Sequence, residues 1–342
     1  GDLRPTDSQT EVIRPEDGAP DVPQTADSAV GVCSSKTPDG IPLNPGCDPD
    51  VQQNGLIAAS NTPLLAQGTW GVFWRTKWWI FDSKAAAGAG AFVDGGKDLA
   101  GFLRFKALPD CKALDPAGLP LNPGCDPEVQ TKGITATATI YLGGSLHWIV
   151  TAGRKWWRFG SAGASMPPQF VEAGKDLSAF YRTLPPTDCG KQTTDGLSLN
   201  PGCDETVKIE GVTAGTGLRF SSGNYVWTVT SGPRWWVFDA SAADGGAPSF
   251  AAAGKSISSA NTNVEPTTCL DKPADGTPLN PKCDPKVLGE GLTAMAEIRL
   301  TSQSYAFLVK GRHWWLHNPL ADLGAGAFVL AGADVAAFLR GL

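Results

Sequence analysis

Residues Gly133–Phe159 decide the fold: "GITATATIYL" at 133–142, "LHWIV" at 146–150 and "KWWRF" at 155–159. In an extended chain Ile134, Ala136, Ala138 and Ile140 share one face, so 133–142 reads as a strand with one apolar side. "LHWIV" and "KWWRF" are two further short apolar runs separated by turn residues. The three-part pattern recurs as "GLIAA…WGVFW…KWWIF", "GVTAGTGLRF…VWTV…RWWVF" and "GLTAMAEIRL…YAFLV…HWWLH". The pairs Trp78–Trp79, Trp156–Trp157, Trp235–Trp236 and Trp314–Trp315 set the period at 78, 79 and 79 residues. A fixed period of this kind is one supersecondary unit used repeatedly. It argues against a unique catalytic centre in any one copy.

Each unit opens on a Cys-x13-Cys segment ending in "LNPGCDP" or a close variant: Cys33–Cys47, Cys111–Cys125, Cys189–Cys203 and Cys269–Cys283. Pro and Gly of "LNPG" impose a turn just before the second cysteine. After the Trp strand, a small-residue stretch leads to Phe92, Phe170, Phe250 or Phe328. "GKDLxxF" follows at Gly96–Phe102 and Gly174–Phe180, and at Gly332–Phe338 with Ala333 for Lys. Leu177, Phe180 and Tyr181 fall at i, i+3 and i+4, which predicts one or two helical turns. Unit 3 carries "GKSISSANTN" without an aromatic, which predicts a loop. The chain thus divides into an extended arm, 1–32, and units at 33–110, 111–188, 189–268 and 269–342.

Composition narrows the partners. Gly (41) and Pro (27) are abundant and charged residues make up only 18 %, which suits many short strands and tight turns. The net charge of −6 lies mostly in the arm, where Asp2, Asp7, Glu11, Glu16, Asp17, Asp21 and Asp27 face only Arg4 and Arg14. A nearly neutral body with no basic stripe argues against a nucleic-acid partner. No apolar run is long enough to predict a membrane span. Eight cysteines in four regular pairs read as disulfides, hence a secreted protein, extracellular or periplasmic. Zinc ligands usually stand two to four residues apart, unlike these pairs.

In unit 2 the order Asp126-Pro127-x-Val129, then Gly133 and Ala136, then Trp156-Trp157-Arg158-Phe159 resembles the hemopexin repeat. Four units in register resemble the four blades of that family, from about residue 47 to 342 outside the cysteine loops. The resemblance implies an all-β, four-bladed β-propeller with one blade per repeat. It also implies a central channel lined by Ala58, Ala136, Ala214 and Ala294. Two departures stand out. Family repeats usually carry Asp before that Ala, where this chain has Ile57, Thr135, Thr213 and Thr293. The family also clasps first and last blades with one disulfide, whereas here the cysteines repeat. Repeat symmetry leaves two pairings. Each loop closes locally, as the "LNPG" turn favours, or Cys47–Cys111, Cys125–Cys189, Cys203–Cys269 and Cys283–Cys33 run round the ring in a family-like clasp.

Neighbours on a strand face opposite ways, so each Trp pair is expected to bury one ring and expose the other. The pairs 78/79, 156/157, 235/236 and 314/315 are then candidates for a binding face. Asp39, Asp48, Asp275 and Asp284 in the cysteine loops are weak calcium candidates, since calcium wants six to eight oxygens; an ion in the channel is the other place for one. His147, His313 and His317 are the only histidines, and the resemblance raises haem, but their scatter over units 2 and 4 makes a poor cradle. No nucleophile–base arrangement repeats, and no Gly-x-Ser-x-Gly, HExxH or phosphate loop occurs. The expectation is a non-enzymatic module that requires no cofactor and binds protein or glycan. The alternatives are a structural subunit of an extracellular filament or assembly, held by residues 1–32 to other copies of the chain, and a haem or metal-ion carrier.

Overall fold

The computed structural model describes residues 32–61, 68–85, 90–106, 110–142, 145–160, 168–219, 225–240, 248–260, 264–300, 303–320 and 326–342. Apart from Val32, the expected arm lies outside them. Each repeat forms one antiparallel four-stranded sheet in up-and-down order. Blade 1 comprises β1 (Ala58–Ser60), β2 (Thr69–Trp74), β3 (Lys77–Asp82) and β4 (Ala91–Gly96). Blade 2 comprises β5 (Ala136–Leu142), β6 (Ser145–Ala152), β7 (Lys155–Gly160) and β8 (Gln169–Gly174). Blade 3 comprises β9 (Ala214–Arg219), β10 (Tyr225–Ser231), β11 (Arg234–Asp239) and β12 (Ser249–Gly254). Blade 4 comprises β13 (Ala294–Leu300), β14 (Gln303–Lys310), β15 (His313–Asn318) and β16 (Ala327–Gly332).

The register repeats with the sequence. Trp148 pairs with Phe159, and Phe159 with Phe170; Trp227, Phe238 and Phe250 do the same in blade 3. Every outer strand skips one residue against the Trp strand, at Ile80/Phe81, Arg158/Phe159, Val237/Phe238 and Leu316/His317. Such bulges bend an edge strand and make it a poor template for pairing with another chain.

The ring closes. β1 touches β5, β5 touches β9, β9 touches β13, and β13 returns to β1. Four apolar cores fill the seams, one between each pair of neighbouring blades, including blades 4 and 1. No covalent clasp joins the ends. All four disulfides are local, Cys33–Cys47, Cys111–Cys125, Cys189–Cys203 and Cys269–Cys283. At the closing seam the Asn44 amide donates to the Leu339 carbonyl (2.8 Å), and Arg340 donates to the Gly46 carbonyl (2.6 Å).

Two helical pieces per unit brace the seams. After the second cysteine, Asp48, Asp126, Asp204 and Asp284 cap short helices at Pro49–Asn54, Pro127–Lys132, Glu205–Glu210 and Pro285–Glu290. Three of these begin on Pro, which suits the first helical position. After the outer strand come Leu99–Lys106, Leu177–Arg182, Ile257–Ala260 and Val335–Gly341. Unit 3, expected to be a loop here, is instead helical at Ile257–Ala260, where Ile257 is buried in the seam.

Candidate functional site

The Trp pairs are not a binding face. The first ring of each pair is 5–9 % exposed and the second 0 %. Alternation holds, but both sides of every sheet are covered in a closed ring. Trp78 packs in the seam toward blade 2 and Trp79 in the seam toward blade 4; Trp156 and Trp157 divide likewise between blades 3 and 1. The second ring also anchors its own cysteine loop. Trp79, Trp157, Trp236 and Trp315 donate their indole N–H to the carbonyls of Pro42, Pro120, Ser198 and Pro278 at 2.9–3.0 Å. The first ring is covered by the helix after the outer strand: Phe102, Phe180 and Phe338 lie 4.1, 4.3 and 4.2 Å from Trp78, Trp156 and Trp314.

Ala58, Ala136, Ala214 and Ala294 do not line the axis either. Each is buried in an inter-blade core. The innermost strand turns its edge to the axis, so its side chains point at neighbouring blades. A shallow depression at the axis, with no room for a water molecule, is bordered by Ser60, Asn61, Thr139, Thr216, Gly217 and Glu297, among others. Free edge carbonyls there are taken up by side chains of the next blades. Thr137 donates to the Ala59 carbonyl (3.0 Å), Thr139 to that of Asn61, and the Tyr225 hydroxyl to that of Thr139 (2.9 Å).

The candidate calcium ligands serve the scaffold. Asp39 accepts the Lys97 N–H (3.1 Å), and Asp275 those of Thr277 and Ala333 (2.9 and 2.7 Å). Asp48 and Asp284 cap their helices and meet a nitrogen from the first residue of the Trp strand, Lys77 Nζ at 2.8 Å and His313 Nδ1 at 2.6 Å. Asp126–Lys155 (2.9 Å) and Asp204–Arg234 (2.6 Å) complete the set. Burial alone would lower the Lys155 pKa; the hydrogen bond and charge of Asp126 outweigh it and raise it. Among the described residues no three His, Cys, Asp or Glu side chains converge as a metal site.

Nor do the histidines meet. His313 is tied to Asp284, while His317 is buried against Phe328 at 5.1 Å, where other blades place Phe81, Phe159 and Phe238. His147 is buried in blade 2 with its Nδ1 unpartnered, and burial, then the charge of Arg158, lowers its pKa. Arg158 pairs with Glu172 at 2.8 Å. This polar row occupies positions that are Val226, Val237 and Ala252 in blade 3.

A surface feature the sequence reading missed lies at the end of the β5–β6 hairpin. Tyr141 and Leu146 pair across the strands and are 39 % and 46 % exposed. The Tyr141 ring lies 6.0 Å from Tyr225 of blade 3. Blade 4 has Arg299 and Ser304 at the same register. That break in the repeat was the available signal, and the Trp pairs drew attention from it.

The strand order, the ring of first strands and the four seam cores define a four-bladed β-propeller. No protein-family model matches the sequence, and no curated protein matches it. Among solved structures, similarity extends to a seed albumin from Lathyrus sativus, 11 % identical over 84 % of this chain and 98 % of that one (TM-score 0.48). A hemopexin-fold protein from cow pea is 10 % identical over 83 % and 95 % (0.45). A plant albumin from Cicer arietinum showing hemagglutination is 12 % identical over 80 % and 90 % (0.44). Matches this distant carry no functional argument.

Proposed function

We propose that the chain is a secreted, non-enzymatic propeller module that binds a protein or glycan partner through the Tyr141–Leu146 end of blades 2 and 3. The observation behind this reading is the exposed Tyr141–Leu146 pair, beside Tyr225, at a register where blade 4 is polar. Amphipathic aromatics at a surface are favoured anchors for partners, since the ring supplies apolar area and the hydroxyl a hydrogen bond. Four disulfides suit an oxidising, extracellular setting, and no helix of the described residues is long and apolar enough to cross a membrane. A non-catalytic role is supported by the spacing of the three histidines and by the engagement of the loop carboxylates with helix caps and cations. The test is a glycan array together with a pull-down on the intact chain, repeated on Tyr141→Ala/Leu146→Ser. The expected result is binding that the double variant loses at unchanged Tm. Binding retained by the variant, or no ligand in either format, would overturn the proposal.

A further inference from the structure

The four seams are built to one plan, and one departs from it. In three seams a helix of the preceding unit lies against the "NPGC" turn of the next. A Cβ placed on Gly46, Gly124 or Gly202 would sit 2.3 Å from the carbonyl of Ala336, Ala100 or Ser178, so glycine is what allows the helix to approach. Arg104 and Arg340 donate to the carbonyls of Gly124 and Gly46 at 2.6 Å, and Arg182 packs against Gly202. Phe102, Phe180 and Phe338 pack against the first Trp of their own units beside these contacts.

Between blades 3 and 4 these parts change together. The described part of the helix is Ile257–Ala260. Ala260 stands where the other units have Phe, Thr262 where they have Arg, and Lys282 where they have Gly. Lys282 carries the Cβ that the other three turns lack, so the approach that Gly46, Gly124 and Gly202 permit is not open to it. The seam core is also leaner. Among the described residues its aromatic members are Trp235, Trp315 and Phe328, whereas the blade 2–3 core holds Trp156, Phe180, Tyr181, Trp227, Trp236, Phe238 and Phe250. Polar contacts add to it: Trp235 bonds Ser256 and Ser259 (both 2.9 Å), and Asn280 reaches the carbonyls of Val264 and Pro266 at 3.0 and 3.1 Å.

We infer that the ring opens at the seam between blades 3 and 4. With no disulfide crossing any seam, each is held by packing and hydrogen bonds, and the seam with least buried aromatic surface separates first. Opening there bares the Trp235 face of blade 3 and the Trp315 face of blade 4 while the other three seams stay shut. A propeller that opens at one fixed place can admit a partner segment, or exchange a blade with a second copy, without global unfolding.

Two backbone bonds make a matched probe. The Phe250 amide donates to Pro185 across seam 2–3, and the Phe328 amide to Glu265 across seam 3–4, both at 2.7 Å. Residue-resolved hydrogen exchange on the full chain should show the Phe328 amide exchanging at least about tenfold faster than that of Phe250. Building the common plan into the odd seam, Ala260→Phe/Thr262→Arg/Lys282→Gly, should bring the two rates together. Equal protection in the unmodified chain, or faster exchange at Phe250, overturns the inference whether or not the triple variant folds. A folded triple variant whose Phe328 amide still exchanges as fast as before does the same.

Discussion

At the residue scale, several glycines are fixed by neighbours 58 or more residues away in the chain. Gly133 sits at φ 81°, ψ −161°, a region essentially reserved for glycine, and a Cβ on it would lie 1.9 Å from the Arg75 carbonyl of the preceding blade. Gly211 and Gly291 meet Gly153 and Gly232 in the same way, and Gly55 meets Gly311 across the closing seam. Gly133→Ala should therefore cost more than the roughly 1–3 kcal/mol of backbone strain alone, read as a lower denaturant midpoint. Arg75 is the converse case. It holds φ 52° where the other blades use Gly153, Gly232 and Gly311. A left-handed non-glycine residue costs about 1–2 kcal/mol, and the 5.7 Å contact of Arg75 with Trp74 returns about 0.5 kcal/mol at an exposed site. Strain wins, so Arg75→Gly should stabilise the fold by about 0.5–1 kcal/mol. His147 sets a pH dependence. Its folded pKa is lowered by burial, then by Arg158, from 6.5. As pH falls through 6.5 the unfolded chain takes up a proton that the folded chain refuses, so stability declines toward acid. His147→Val, the residue of blade 3, should flatten the stability profile between about pH 7 and pH 5; an unchanged slope would show that His147 is not its source.

At the element scale, the informative unit is the "LNPGCDP" segment. The sequence reading assigned it a turn and possible calcium ligands. The structure assigns its Asn to the preceding unit's tail, its Asp to a helix cap, and that Asp's second oxygen to the first residue of the Trp strand. The motif carries three structural tasks, and the signal was the co-occurrence of Asp48, Asp126, Asp204 and Asp284 with Lys77, Lys155, Arg234 and His313. Helices of six residues have too little periodicity to be read from pattern. The Phe-bearing helix was legible because its aromatic recurs. Phe180→Ala should cost about 3–5 kcal/mol, since it removes a buried ring packed at 4.3 Å against Trp156. Thermal or denaturant unfolding of the variant checks this. A loss below about 1 kcal/mol would mean that the seam repacks as seam 3–4 has done around Ala260.

At the scale of the whole molecule, local disulfides and seam packing divide the work. Each disulfide joins cysteines separated by 14 residues and stabilises through the unfolded chain by about 3 kcal/mol. Cys111→Ala/Cys125→Ala should lower unfolding free energy by about that amount while leaving the seam amide of Phe250 protected under native conditions. Loss of that protection would mean that the loop itself holds the ring. The sequence by itself determined the period, the strands and the blade number, because alternation, turns and repetition are local signals; it left two cysteine pairings open, and the structure closes each loop locally. Only the tertiary structure decided which side of each strand is outside. A Trp pair on an isolated sheet must show one ring to solvent; in a closed ring every sheet has a neighbour on both sides, so both rings are core, the alanines point at blades rather than at the axis, and the exposed rings lie elsewhere, at Tyr141 and Phe105. Ring closure is a contact between residues nearly three hundred positions apart, Asn44 with Leu339, and no local pattern reports which faces it covers.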